Sequence, residues 1–220
     1  VRRLIIFIAV VAVLLIMVLL LFAGRVFDWN HSQVDNHLLD VVGPEHPVDP
    51  DWSPEFTMLD NGELVCSVCV DDLLMMLEQC RYAGGRPFVY SAYRSESAHQ
   101  RVIDSAADVF VEQGMEEEAA RQEAEALLGI PGTSDHQLGY AVDILNGDYE
   151  ANGLDRFTVD WLQDNCWKFG FIAGGATETI EYHGLTLQPC HYRYVGYEPA
   201  SQIHELGITL EEYVDMFYKN

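Results

Sequence analysis

The chain has 220 residues, enough for one domain with its own apolar core. It carries 35 acidic against 12 basic residues, a net charge of -23. Binding nucleic acid requires Lys and Arg clustered against phosphates, so this balance excludes that class of partner and describes a well-solvated acidic surface.

From Leu4 to Ala23 the chain reads LIIFIAVVAVLLIMVLLLFA, without a charged or polar side chain. About 20 such residues cross a bilayer core as a helix. Arg2 and Arg3 precede the run and place its start in the cytoplasm. Ala23-Gly24-Arg25 is a poor cleavage site, so the expectation is an uncleaved transmembrane anchor over 1–24. The rest of the protein would then lie outside the cytoplasm, tied to the cell membrane by a single pass.

Residues 25–55 read as a flexible tether, because Pro44, Pro47, Pro50 and Pro54 interrupt any helix. The folded domain is expected over 56–220. Asn61-Gly62 between short apolar runs marks a hairpin turn. Val70 to Tyr82 has helical periodicity and stops at Gly84-Gly85. Pro87 to Ser91 reads as a buried strand, and Ser97 to Gln113 and Glu116 to Leu128 as two amphipathic helices. Gly129 to Gln137 reads as a loop and Tyr140 to Leu145 as a strand. A helix is expected over Asp155 to Phe169, stopped by Gly170. Phe171 to Leu187 is hairpin-like, His191 to Gly196 alternates as a strand does, and Thr209 caps a last helix reaching Tyr218. Strands and helices mix without βαβ regularity, which predicts an α+β fold with a small antiparallel sheet flanked by helices.

Five cysteines follow the apolar run: Cys66, Cys69, Cys80, Cys166 and Cys190. The Cys66-x-x-Cys69 pair has no partner pair at zinc-finger spacing. Cys69 and Cys80 lie about 16 Å apart in helical rise and cannot join each other. Core thiols and disulfides both remain open for this set.

Chemistry concentrates in Ser134-Asp135-His136-Gln137-Leu138-Gly139-Tyr140-Ala141-Val142-Asp143. A histidine here precedes an apolar strand that carries an aspartate. A carboxylate inside such a strand costs several kcal/mol unless something compensates it. A salt bridge is the plainer compensation, and a metal ion the sharper one. His191 shifts the balance, because two His and one Asp complete a three-ligand zinc site with a fourth position left open. By strand alternation His191 shares its face with Arg193 and Val195.

Four blocks in order then carry a resemblance: SAYRS (Ser91 to Ser95) with Gln100 downstream, GTSDHQLGYAVDI (Gly132 to Ile144), WLQDNCWKFGFI (Trp161 to Ile172) and HYRYVG (His191 to Gly196). From about Phe56 to Phe217 the chain resembles the VanY-type D-alanyl-D-alanine carboxypeptidases, zinc peptidases that trim peptidoglycan stem peptides. The resemblance implies the LAS, or hedgehog-like, peptidase fold and membership of the M15 peptidases. It puts Zn2+ on His136, Asp143 and His191, the trio proposed from the residue chemistry. It gives Arg94 the task of holding the substrate carbonyl and the developing oxyanion, a task that suits a guanidinium fork. It makes Ser134 and Gln100 candidates for the peptide's terminal carboxylate.

One departure stands out. The family places a Glu-Pro-Trp triplet before the last zinc histidine, and its Glu is the general base that takes a proton from the attacking water. This chain has Gln188-Pro189-Cys190 there, and a neutral amide accepts no proton. Loss of a general base costs about 10² to 10⁴ in rate. Gly174-Gly175 also replaces a Tyr-Pro common in the family. Glu178, Glu181 and His183 are the other bases nearby in sequence. Two readings follow: a carboxypeptidase weakened at Gln188, or a pseudoenzyme that binds stem peptides in a retained zinc cleft. D,D against L,D specificity stays open.

Overall fold

The cross-strand register of a small antiparallel sheet places Asp143, His191 and Arg193 on one face. The computed structural model describes residues 36–146, 156–174, 180–182, 185–187 and 190–218. Strands β1 (Phe56–Met58) and β2 (Leu64–Cys66) form an antiparallel hairpin around Gly62, which takes φ 90°. The central sheet has the order β3 (Pro87–Ser91), β4 (Ala141–Asn146), β8 (Cys190–Tyr194), β5 (Phe171–Ala173), with every pairing antiparallel. Strands β6 (Ile180–Tyr182) and β7 (Leu185–Leu187) make a separate hairpin.

Among the described residues the α-helices are α1 (Val70–Tyr82), α2 (Glu96–Glu112), α3 (Glu117–Leu128), α4 (Asp135–Leu138), α5 (Arg156–Asn165), α6 (Tyr197–Leu206) and α7 (Leu210–Phe217). In α1 the residues Leu73, Met76, Leu77 and Cys80 recur at helical spacing and are buried, while Asp71 and Asp72 occupy the positive first turn. Val142 pairs with Tyr192, and these two with Ile144 are buried on the apolar face of the sheet. From that face Tyr194 donates to Asp72 of α1 at 2.7 Å. Helices α2 and α3 bury their own seam of Ile103, Ala107, Ala120 and Ala124. Val195, Ala200, Ile203, Leu210 and Tyr213 form a second cluster under α6 and α7. Thr209 caps α7 as the sequence predicts, and Glu212 completes a capping box.

Several expectations need adjustment. The predicted loop over 129–137 closes into the one-turn helix α4, because the Ser134 hydroxyl accepts from the His136 amide at 3.3 Å. The predicted helix to Phe169 ends at Asn165 and tightens into a 3-10 turn over Cys166–Phe169. Phe171 leaves the expected hairpin and starts a strand of the central sheet. Helix α6, which carries Pro199 in its first turn, is not visible in the periodicity. The stretch before Phe56 lies on the domain in part: the Val48 amide donates to the Gly132 carbonyl at 2.8 Å, and the Trp52 indole to the Leu138 carbonyl at 3.1 Å. Leu39 and Val41 pack against the α6–α7 cluster.

Cys66, Cys69, Cys80 and Cys166 are buried and form no disulfide, so these four pack in the interior. Burial pushes the Cys166 thiol up to about 12 and raises Cys69 as well. Among the described residues no helix is long and apolar enough to cross a membrane. The expected anchor, residues 4–23, lies outside them.

Gly139 ends α4 in the left-handed region at φ 80°, and a Cβ there would come within 2.7 Å of the Phe56 ring. Gly139→Ala is therefore expected to cost about 1–3 kcal/mol of stability. The check is a lower urea midpoint at an unchanged m-value, and a midpoint equal to wild type would contradict the strain.

Candidate metal centre

The register makes the site. Asp143 of β4 lies directly across from His191 of β8, and Ala141 across from Arg193. All four share the sheet face opposite Val142 and Tyr192. Helix α4 lays His136 over this face. Its ring Nδ1 is 2.6 Å from the Ala92 carbonyl, which only accepts, so Nδ1 carries the hydrogen. The bare Nε2 then meets Asp143 Oδ2 at 3.1 Å. The Arg94 amide donates to the His136 carbonyl at 3.0 Å, tying the helix to the segment after β3.

His191 Nδ1 lies 3.1 Å from Asp143 Oδ1, and the two imidazoles meet edge-on with centroids 5.1 Å apart. One ligand atom from each of His136, Asp143 and His191 falls within 4.8 Å of the others. His136 and Asp143 are buried. The donor set fits a divalent metal. A ring lone pair and a carboxylate facing each other at 3.1 Å repel unless a cation lies between them, and two imidazoles with one carboxylate are zinc-type ligands.

Burial disfavours a charged His191, but Asp135 and Asp143 outweigh it and hold its pKa up to about 9. Burial likewise opposes ionised Asp143, yet His136 and His191 keep its carboxyl well below the usual range.

Arg94 borders the trio. Its Nη2 donates to the Ser91 hydroxyl at 2.8 Å and stands 3.8 Å from Asp143 Oδ2. Ser134 is the N-cap of α4. Gln100 has its amide engaged one turn along α2, donating to Asp104 at 2.9 Å. Gln188, Glu178 and His183 lie outside the described residues. Gly174 stands against the site, since a Cβ there would come within 2.7 Å of the His191 ring. The glycine lets the end of β5 lie close on the imidazole.

Two residues escaped the sequence reading. Asp135 pairs with Arg193 at 3.2 Å and lies 3.7 Å from His191 Nε2. Strand alternation put Arg193 on the face of His191, and Asp135 adjoins His136. The signal was present, but an acidic chain offers many such neighbours.

The fold and the cluster together define a metallopeptidase-type domain, and comparison narrows it. A family model described as VanY, D-alanyl-D-alanine carboxypeptidase, matches residues 63–197. The chain belongs to this family. It is 34% identical over 177 residues to a D-alanyl-D-alanine carboxypeptidase of Enterococcus faecalis, covering 80% of this chain and 65% of that relative. The chain thus spans slightly less than two thirds of that relative's length. VanYB in complex with D-alanine-D-alanine superposes with a TM-score of 0.69 at 33% identity, over 81% of this chain and 98% of that one. A point mutant of the VanY D,D-pentapeptidase from a VanB-type resistance cassette, in complex with Zn(II), gives 0.68 at 32% identity, over 80% and 98%.

The raised pKa of His191 has a consequence for stability. Its folded value stands above the unfolded 6.5, so the charged ring contributes fully below pH 6.5 and less as pH rises through about 9. Chelator-treated protein is expected to lose thermal stability between pH 6.5 and 9. His191→Ala should flatten most of that slope in melts across the range. A slope unchanged by the substitution would assign it to other groups.

Proposed function

We propose that the protein is a zinc D,D-carboxypeptidase that removes the terminal D-alanine from peptidoglycan stem peptides. In this reading the residue 4–23 helix holds it at the cell membrane, with the domain outside the cytoplasm. The convergence of His136, Asp143 and His191 beside Arg94 carries the reading. The likeness to VanYB in complex with D-alanine-D-alanine supports the D,D choice over L,D.

His136 presents Nε2 to the metal because the Ala92 carbonyl fixes its tautomer. His191 and Asp143 supply the other two ligands. Zinc, when bound, supplies Lewis acidity and lowers the pKa of water at its open position. Arg94 spends one guanidinium nitrogen on Ser91 and keeps further N–H groups for the peptide carbonyl as it gains charge. Ser134, and Gln100 if released from Asp104, would bind the terminal carboxylate.

Gln188 supports a second reading. An amide in the position of the general base takes up no proton, which favours a stem-peptide-binding pseudoenzyme.

The experiment is incubation of the zinc-loaded protein with a stem pentapeptide ending in D-alanyl-D-alanine, following D-alanine release by mass spectrometry. Arg94→Ala is expected to lower kcat by about 10² to 10³. Gln188→Glu, nearly isosteric, should raise the rate about 10-fold or more. Binding without cleavage by wild type and Gln188→Glu alike would favour the pseudoenzyme. Fast wild-type cleavage unaffected by Gln188→Glu would place the base elsewhere.

A further inference from the structure

We infer that Asp135, locked in place by Arg193, is a positioning residue that fixes which ring nitrogen of His191 faces the metal. The inference rests on the zinc reading above and concerns residues to which the family resemblance assigned no role.

Arg193 is 1% exposed, an unusual place for a guanidinium. Its Nη1 lies 3.2 Å from Asp135 Oδ1, its Nη2 donates to the Asp40 carbonyl at 3.4 Å, and its plane lies over the Tyr140 ring at 5.0 Å. A group held from three sides does not swing. The ion pair joins α4 to β8, the two elements that supply His136 and His191.

With Oδ1 taken by Arg193, Asp135 turns Oδ2 toward His191 Nε2 at 3.7 Å, an ion-pair rather than a hydrogen-bond distance. The other ring nitrogen, Nδ1, faces Asp143 Oδ1 at 3.1 Å. The imidazole is thus flanked by a carboxylate at each nitrogen. A ligating imidazole needs a lone pair at the metal and keeps its one hydrogen on the other nitrogen. Asp135 is the anion that draws that hydrogen to Nε2 and leaves Nδ1 bare. A half-turn of the ring would put carbon, not nitrogen, against Asp143. Arg193 in turn offsets the cost of keeping Asp135 ionised beside a buried strand. A carboxylate behind a ligating histidine commonly sets its tautomer and basicity, and losing it weakens metal binding about 10- to 100-fold.

A purely structural tie between α4 and β8 would affect folding but not the metal, and the test separates the two. Zinc affinity of the purified full chain is measured by competition with a chromophoric chelator, with near-UV circular dichroism as a control for folding. Asp135→Asn keeps a carbonyl for Arg193 but loses the charge. It is expected to bind zinc about 10- to 100-fold more weakly and to shift the visible absorption of the cobalt(II)-substituted protein, while Asp135→Glu recovers most of the affinity. Nitrogen-15 spectra of zinc-loaded wild type, which need no variant to fold, should show His191 metal-bound at Nδ1 and protonated at Nε2. Coordination through Nε2, or a folded Asp135→Asn with wild-type affinity and cobalt spectrum, overturns the inference while the zinc reading stands. A wild type that takes up no zinc overturns both.

Discussion

The antiparallel pairing of Asp143 with His191 is the constraint on which the site depends. A buried carboxylate in a central strand is costly, and here it lies at 3.1 Å from both imidazoles. A one-residue slip between β4 and β8 would send Asp143 to the apolar face among Val142 and Tyr192. The residues that pin the register are therefore part of the chemistry. Val142, Ile144 and Tyr192 are each at most 1% exposed, and Tyr194 anchors β8 to Asp72 of α1. The cap of Ser134 and the left-handed turn at Gly139 then deliver His136 to the same face.

The electrostatics of the site run against those of the chain. A molecule with net charge -23 keeps Arg94 and Arg193 beside its two central aspartates. Arg94 holds Ser91 and borders Asp143, and Arg193 pairs with Asp135, in contrast to the solvated acids on α2 and α3. Glu116 and Glu118 at the start of α3 serve the helix: Glu116 caps it, and Glu118 lies in its positive first turn. Cys66, Cys69, Cys80 and Cys166 are all buried and add packing volume to the core.

Much of this was legible in the residues themselves. Helix α1 and strand β3 have the predicted limits, because their periodicity is strong and Gly84 and Ser91 punctuate it. The ligand trio was readable because an aspartate within an apolar strand is anomalous without a partner. What escaped depends on tertiary contact. Helix α4 forms from four residues through one side-chain cap, too short for any period to show. The tie between Asp135 and Arg193 joins residues 58 apart, and Trp52 reaches Leu138 across 86. Proline spacing made residues 44–54 look detached, although prolines interrupt helices without preventing an extended segment from lying on a domain.

The central claim is that one zinc ion belongs between these three side chains. X-ray absorption at the zinc edge, on protein loaded with one equivalent, tests it most directly. The account predicts nitrogen and oxygen neighbours only, at about 2.0 to 2.2 Å, with two imidazole scattering patterns. His136→Ala should remove one of those patterns. Sulfur at about 2.3 Å would contradict the account by moving the metal to the cysteines, as would a spectrum that His136→Ala leaves unchanged.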